Sequence, residues 1–236
     1  MPGLEGLTLD GVALRDGDWS LDASLRLPAG GVTAVIGPSG AGKSTLLSAI
    51  AGFVTPSAGR ILWQGRDLTG VAPHARPVSI LFQDGNLFPH LTLAQNVALA
   101  LRPVARPSAS DAARVAALLA RMGLGELADR RPGEVSGGQA ARAALARVLI
   151  ADRPLVLLDE PFAALGPALK AEMADLAATL LTEALRTVLV VTHDPAEARR
   201  IAPAMVVVAE GRVSGPFPTA ATLDNPPPAL AAYLGA

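Results

Sequence analysis

Cysteine is missing from all 236 residues. That removes disulfides, thiolate zinc sites and cysteine nucleophiles, and it suits a reducing compartment. Net charge is nearly missing too: 20 Lys and Arg against 21 Asp and Glu leave −1 at pH 7. No chain-wide attraction to acidic lipid or to nucleic-acid phosphates is expected, and nucleic acid is not a predicted partner. Aromatic residues make up 3% and charged residues 17%, so the apolar half of the chain is mostly Ala, Leu and Val. A mean hydropathy of +0.38 invites a membrane reading, yet a long hydrophobic run is also lacking. The longest stretch without Asp, Glu, Lys or Arg, Gly85 to Leu101, holds Asn86, Pro89, His90, Gln95 and Asn96. It falls short of the roughly 20 apolar residues that span a bilayer. Met1 to Asp10 show no basic segment followed by an apolar core, so no signal peptide is expected and the chain is assigned to the cytosol. The length suits one or two domains of about 150 residues each, with a large core.

What is present is an alternation of short β-rich apolar runs with Ala/Leu-rich helical stretches, the pattern of an α/β fold with a mainly parallel sheet. Strands are expected at Val32 to Ile36, Val78 to Phe82, Leu155 to Leu158, Val188 to Thr192 and Met205 to Ala209. Their continuous apolar character suits strands buried on both faces. The first 30 residues and Arg60 to Gln64 alternate instead, with a turn at Asp16-Gly17, and imply a small N-terminal antiparallel β layer. Between Asp84 and Ile150 helices dominate. Pro103 and Pro107 separate a helix near Thr92 to Leu101 from one starting at Ser108, where Ser108 and Asp111 form a capping box. The expected organisation is a single domain, 1–236. Its core covers about 1–83 and 151–215, with an inserted helical subdomain at about 84–150 and a weakly packed, proline-rich tail at about 216–236. No room remains for a separate C-terminal domain.

Gly37-Pro38-Ser39-Gly40-Ala41-Gly42-Lys43-Ser44-Thr45 matches G-x-x-x-x-G-K-[ST] between an expected strand and an expected helix, the context that a P-loop requires. Its glycines let successive N–H groups and the helix N-terminus face one anion, while Lys43 supplies a point charge for β/γ-phosphate oxygens and the Ser44 hydroxyl a ligand for Mg²⁺. Charge-assisted hydrogen bonds of this kind contribute about 1.5–3 kcal/mol each. Downstream, the aliphatic run Leu155 to Leu158 ends in Asp159-Glu160-Pro161. An aspartate at a buried strand end can reach Mg²⁺ beside the P-loop, and the next carboxylate can orient or deprotonate the attacking water, so Asp159 takes the metal role and Glu160 the base role.

A P-loop alone does not separate kinases, GTPases and transport ATPases. Val135-Ser136-Gly137-Gly138-Gln139 does. Ser136 and Gln139 read as a capping box opening the Ala-rich helix that runs to Ile150, and Gly137 and Gly138 leave that helix end open to an outside anion. With these motifs together, the chain from about Leu7 to Gly211 resembles the ATP-binding subunits of ABC transporters, whose P-loop NTPase fold carries an inserted helical subdomain. Val135 to Gln139 resembles the family's LSGGQ signature. Gln83, in Leu81-Phe82-Gln83-Asp84, is similar to its Q-loop glutamine, and His193, in Val190-Val191-Thr192-His193-Asp194, to its switch histidine. The resemblance implies that Gln83 touches Mg²⁺ and the attacking water and that His193 contacts the γ-phosphate. It also implies a head-to-tail homodimer in which Ser136, Gly137, Gly138 and Gln139 of one copy complete the phosphate site of ATP held by Lys43 of the other. Closure would pass to a transmembrane permease on the cytoplasmic face of the membrane, through a groove lined by residues 83–91, with a periplasmic or secreted binding protein as an indirect partner.

The chain departs from the family pattern in several places. Val135 replaces the usual Leu, and Ala140 and Ala141 are less polar than usual. In Ala163-Ala164-Leu165-Gly166 the family's coupling Asp is replaced by Gly166, which supplies no carboxylate. Leu14 stands where an aromatic usually stacks on adenine; Trp19 is the nearest substitute, either stacking or simply packing. The run Arg76 to Thr92 resembles bacterial importer subunits, and its Leu-Phe-Gln-acid-x-Asn-Leu-Phe order is most similar to thiamine importers. The resemblance thus implies a thiamine-transporting ATP hydrolase with ATP and Mg²⁺. Rival readings are an importer ATPase for iron, sulfate or a polyamine, a non-transport nucleotide-dependent switch, and a small-molecule kinase, the last of which leaves Val135 to Gln139 without a purpose.

Overall fold

The computed structural model describes residues 5–83, 85, 87–101, 107–183 and 185–234. Asp84, Asn86 and Pro103, which figured in the expectations above, lie outside the described residues.

The N-terminal alternating segments are strands β1 (Glu5–Asp16), β2 (Trp19–Pro28) and β4 (Ala58–Trp63), followed by a two-residue strand β5 (Arg66–Asp67) outside the expected segments. They pair antiparallel, with β1 and β2 closing on Asp16↔Trp19 around the expected turn. The continuous apolar runs are β3 (Gly31–Ile36), β6 (Val78–Leu81), β7 (Leu155–Asp159), β8 (Thr187–Val191) and β9 (Ala204–Ala209). Strand β10 (Arg212–Pro218) was likewise not expected, because Pro216 and Pro218 mask its strand character. It pairs antiparallel with β9 and, over two residues, parallel with β2, which joins the antiparallel layer to the parallel strands in one sheet. Among the described residues the order is β5-β4-β1-β2-β10-β9-β3-β8-β7-β6.

Burial on both faces explains the uninterrupted apolar strands. Val156, Leu158, Val188 and Val190 point into one hydrophobic core, and Leu155, Leu157, Leu189 and Val191 into the other. The second core contains α1 (Lys43–Ala51) and the antiparallel strands. The first is roofed by α2 (Leu93–Ala98), α3 (Ala109–Arg121), α4 (Gly137–Ile150), α5 (Pro167–Glu183) and α6 (Pro195–Ile201). Ser108 caps α3 through the Asp111 amide as expected, and its own hydroxyl donates to the Asp111 carboxylate at 2.8 Å. The tail forms α7 (Thr219–Asp224) and α8 (Pro228–Leu234). Its expected weak packing is corrected by Leu230, which is fully buried in the first core. Among the described residues no helix is long and apolar enough to cross a membrane.

The C-terminal end of α1 is fastened by Arg76, which is 2% exposed and donates to the Ala49 and Ile50 carbonyls at 2.9 Å each. These lie among the last carbonyls of the helix, which lack i+4 amide partners; that of Ala49 also accepts from the Gly52 amide at 3.1 Å. The helix that carries the P-loop lysine is therefore held at its far end by a buried cation.

Candidate active site

Strands β3, β8, β7 and β6 are neighbours and run parallel, so their C-terminal ends share one edge of the sheet. Each end delivers one expected group: β3 the segment Gly37 to Thr45, β8 His193, β7 Asp159 and Glu160, and β6 Gln83. Ligand sites of open parallel sheets lie outside this edge.

At the end of β3, backbone crowding dictates glycine. A Cβ on Gly37 would stand 1.9 Å from the Val208 carbonyl oxygen, and Gly42, at φ +101°, would press a Cβ to 2.3 Å from the Trp19 ring. Trp19 thus packs directly on the P-loop, while Leu14, at the position where the family carries its aromatic, is 1% exposed and belongs to the core. Lys43 is buried, and its ammonium donates to the carbonyls of Gly37 and Pro38 at 2.8 Å each. Burial holds its pKa below the usual lysine value, against the opposing pull of Glu160 and Asp159. A cleft of about 480 Å³ is lined by Trp19, Ser39, Gly40, Gly42, Lys43, Ser44, Thr45, Gln83 and Glu160, with Asp16 at its side. Gln83 and Glu160, from distant parts of the chain, thus meet the P-loop here.

Asp159 is 5% exposed, and burial raises its pKa above the usual carboxylate range, partly offset by a hydrogen bond with the Ser44 hydroxyl. Glu160 is different. Its backbone sits at φ +48°, a conformation that costs a non-glycine residue about 1–3 kcal/mol, and its amide donates to the Val191 carbonyl of the neighbouring strand at 3.1 Å. That turn directs the carboxylate toward His193, whose Nδ1 lies 3.3 Å from Glu160 Oε2.

Ser136 and Gln139 form the expected capping box: the Ser136 hydroxyl accepts from the Gln139 amide at 3.3 Å and the Gln139 side chain from the Ser136 amide at 2.8 Å. The structure does not bring Ser136 to Gln139 to the P-loop cleft of the same chain. Gly137 instead lines a second cleft of about 330 Å³ with Phe82, Gln83, Leu87, Ala140 and Glu160. Neither signature glycine is required by packing within the chain, since a Cβ on Gly137 meets nothing within 4 Å and one on Gly138 only an ordinary contact at 3.4 Å.

The family model described as ABC transporter matches residues 21–163, a span that contains the P-loop, Gln83, Ser136 to Gln139 and Glu160. The chain belongs to this family. Among curated relatives it is 58% identical to the thiamine import ATP-binding protein ThiQ of Cereibacter sphaeroides, over 97% of this chain and 99% of the relative. It is 55% identical to the protein of that name from Ruegeria sp., over 98% and 100%, and 49% identical to the one from Shigella flexneri, over 81% and 82%. A solved structure, the dimeric post-hydrolysis state of the ATP-binding cassette MJ0796 bound to ADP and Pi, superposes with a TM-score of 0.80 at 28% identity, covering 90% of this chain and 98% of that one.

Beyond the family's motifs, the structure shows two supports that sequence reasoning missed. Lys170, on the first turn of α5 after Gly166, places its ammonium 2.9 Å from both Asp194 Oδ2 and Glu197 Oε2. Asp194 follows His193 and caps α6 through the amides of Ala196 and Glu197. On Glu197, burial outweighs the pairing and raises the pKa, whereas on Lys170 the two carboxylates outweigh burial and raise it. Arg147 of α4 donates to the Gly85 carbonyl at 2.9 Å, tying the segment after Gln83 to the helix that opens with the signature. Both pairs join residues 24 or more positions apart, and no local pattern announces them.

Proposed function

We propose that the chain is the ATP-hydrolysing subunit of a bacterial ABC importer for thiamine, acting as a head-to-tail homodimer on the cytoplasmic face of the membrane. The observation that carries the reading is the shared edge of β3, β8, β7 and β6, where a phosphate cradle, a buried carboxylate and a glutamate–histidine pair converge. The named function of the ThiQ relatives supports thiamine as the solute.

Lys43 and the amides at the start of α1 hold the β- and γ-phosphates, with Trp19 at the wall of the cleft where a base can stack. Ser44 and Asp159 offer two oxygen donors already hydrogen-bonded to each other, a set that fits magnesium, which keeps several waters and phosphate oxygens as its other ligands. When bound, that ion neutralises phosphate charge. Glu160 accepts the proton of the attacking water, with His193 steadying it and Gln83 lining the same cleft.

Ser136 to Gln139 do not line the cleft of their own P-loop and carry glycines that their own fold does not need, which suits a phosphate presented by a second copy. ATP then favours the closed dimer because it binds that state better than the open one. Closure passes to a membrane permease through the cleft lined by Phe82, Gln83 and Leu87, where Phe53 meets Phe82 edge-on at 5.4 Å and Phe53 and Phe88 remain 58% and 46% exposed. A secreted or periplasmic binding protein delivers the solute to that permease.

The test is hydrolysis by the chain assembled with its permease in proteoliposomes. Stimulation by binding protein loaded with thiamine is expected. Stimulation by iron, sulfate or a polyamine instead would replace the solute, and failure to assemble with any permease would favour a soluble nucleotide-dependent switch.

A further inference from the structure

We propose that Tyr233 is a positioning residue for His193 and that α8 holds the switch loop from the C-terminal end of the chain. This rests on the reading of His193 as part of the hydrolytic site.

The helix has an anchor. Leu230 is fully buried in the core that also contains Ile36, Val190, Ala198, Met205 and Val207, the strands and helix surrounding the loop that bears His193. One helical turn further on, Tyr233 lies on the same face, packs against that core and donates its hydroxyl to the His193 carbonyl at 3.0 Å, across 40 residues of sequence. Burial, then the negative charges of Glu160 and Asp194, raise the phenol's pKa, so it stays a donor.

The bond acts where restraint is scarce. The His193 side chain is 56% exposed, so packing alone does not fix the ring against Glu160. Its carbonyl lies beyond the end of β8, just before Asp194 caps α6. Displacement of the peptide between His193 and Asp194 together with the His193 Cα would carry the imidazole away from Glu160. On one side of that peptide the Asp194 amide donates to the Thr192 hydroxyl at 3.1 Å and the Asp194 side chain is held by the α6 cap and Lys170; Tyr233 restrains the other side through the carbonyl oxygen.

Tyr233→Phe removes one hydroxyl and keeps the ring. Steady-state ATP hydrolysis by the full chain is expected to lose about three- to tenfold in kcat, the net worth of one hydrogen bond, with KM for ATP and the melting temperature essentially unchanged. In the His193→Ala background, the same substitution is expected to have no further effect on residual hydrolysis. A Tyr233→Phe protein with the parent kcat would overturn the proposal, as would an equal loss in both backgrounds. If His193→Ala itself hydrolyses ATP at the parent rate, the reading of His193 fails, an outcome distinct from a silent Tyr233.

Discussion

His193 Nδ1 stands 3.3 Å from Glu160 Oε2, and the two residues leave neighbouring parallel strands, β8 and β7, that pair at Asp159↔Val191. The register of the sheet thus sets their spacing. The left-handed backbone of Glu160 is tolerated because its amide is held by the Val191 carbonyl. Strain at one residue, held by a hydrogen bond to the neighbouring strand, gives the carboxylate one direction.

Lys43→Ala is expected to weaken ATP binding by about 10- to 150-fold, from the loss of a charge-assisted contact worth roughly 1.5–3 kcal/mol. Isothermal titration with ATP checks it. Unchanged affinity would mean that the buried ammonium serves only the Gly37 and Pro38 carbonyls.

Asp159→Asn is expected to abolish hydrolysis while raising the melting temperature. Burial raises the folded-state pKa of Asp159 above its ordinary 3.8, so the native state holds its proton more tightly than the unfolded chain. Stability from this group therefore falls as pH rises from about 3.8 through the folded pKa, and the penalty is complete above it. Thermal melts across that window should show a shallower decline for Asp159→Asn than for the parent; identical slopes would contradict the assignment.

Lys170→Met leaves Glu197 buried without its cation and is expected to cost about 3 kcal/mol of stability. Adding Glu197→Gln should recover much of it. Denaturant unfolding of the single and double variants measures the coupling, and a purely additive pair would show that the 2.9 Å contact contributes nothing.

Gly166→Asp restores the carboxylate common in the family at a position where a Cβ meets nothing within 4 Å. Hydrolysis is expected to rise, by about 10- to 150-fold if the carboxylate gains one charge-assisted hydrogen bond in the dimer. A steady-state rate equal to the parent's would make the substitution silent.

Much of the fold was legible in the sequence because burial on both faces writes a continuous apolar run, as in β3, β7 and β8, and because Ser136 and Gln139 carry their cap locally. The P-loop, Gln83 and Glu160 were legible as motifs, and the structure brings them to one cleft. Strand β10 was not, since its prolines contradict strand propensity and only pairing with β9 overrides it. Nor were Lys170 and Tyr233, whose partners lie 24 and 40 residues away and leave no periodicity to read.

The ATP-sandwich mechanism is tested most directly by the mass of Glu160→Gln in solution with ATP and magnesium. Removing the base should slow hydrolysis by about 10²–10⁴-fold while leaving Lys43 and the signature intact, so the closed state accumulates. Sedimentation equilibrium is predicted to show twice the 24.0 kDa chain mass with ATP and the single mass without it. A monomer under both conditions, with ATP bound, would contradict the mechanism.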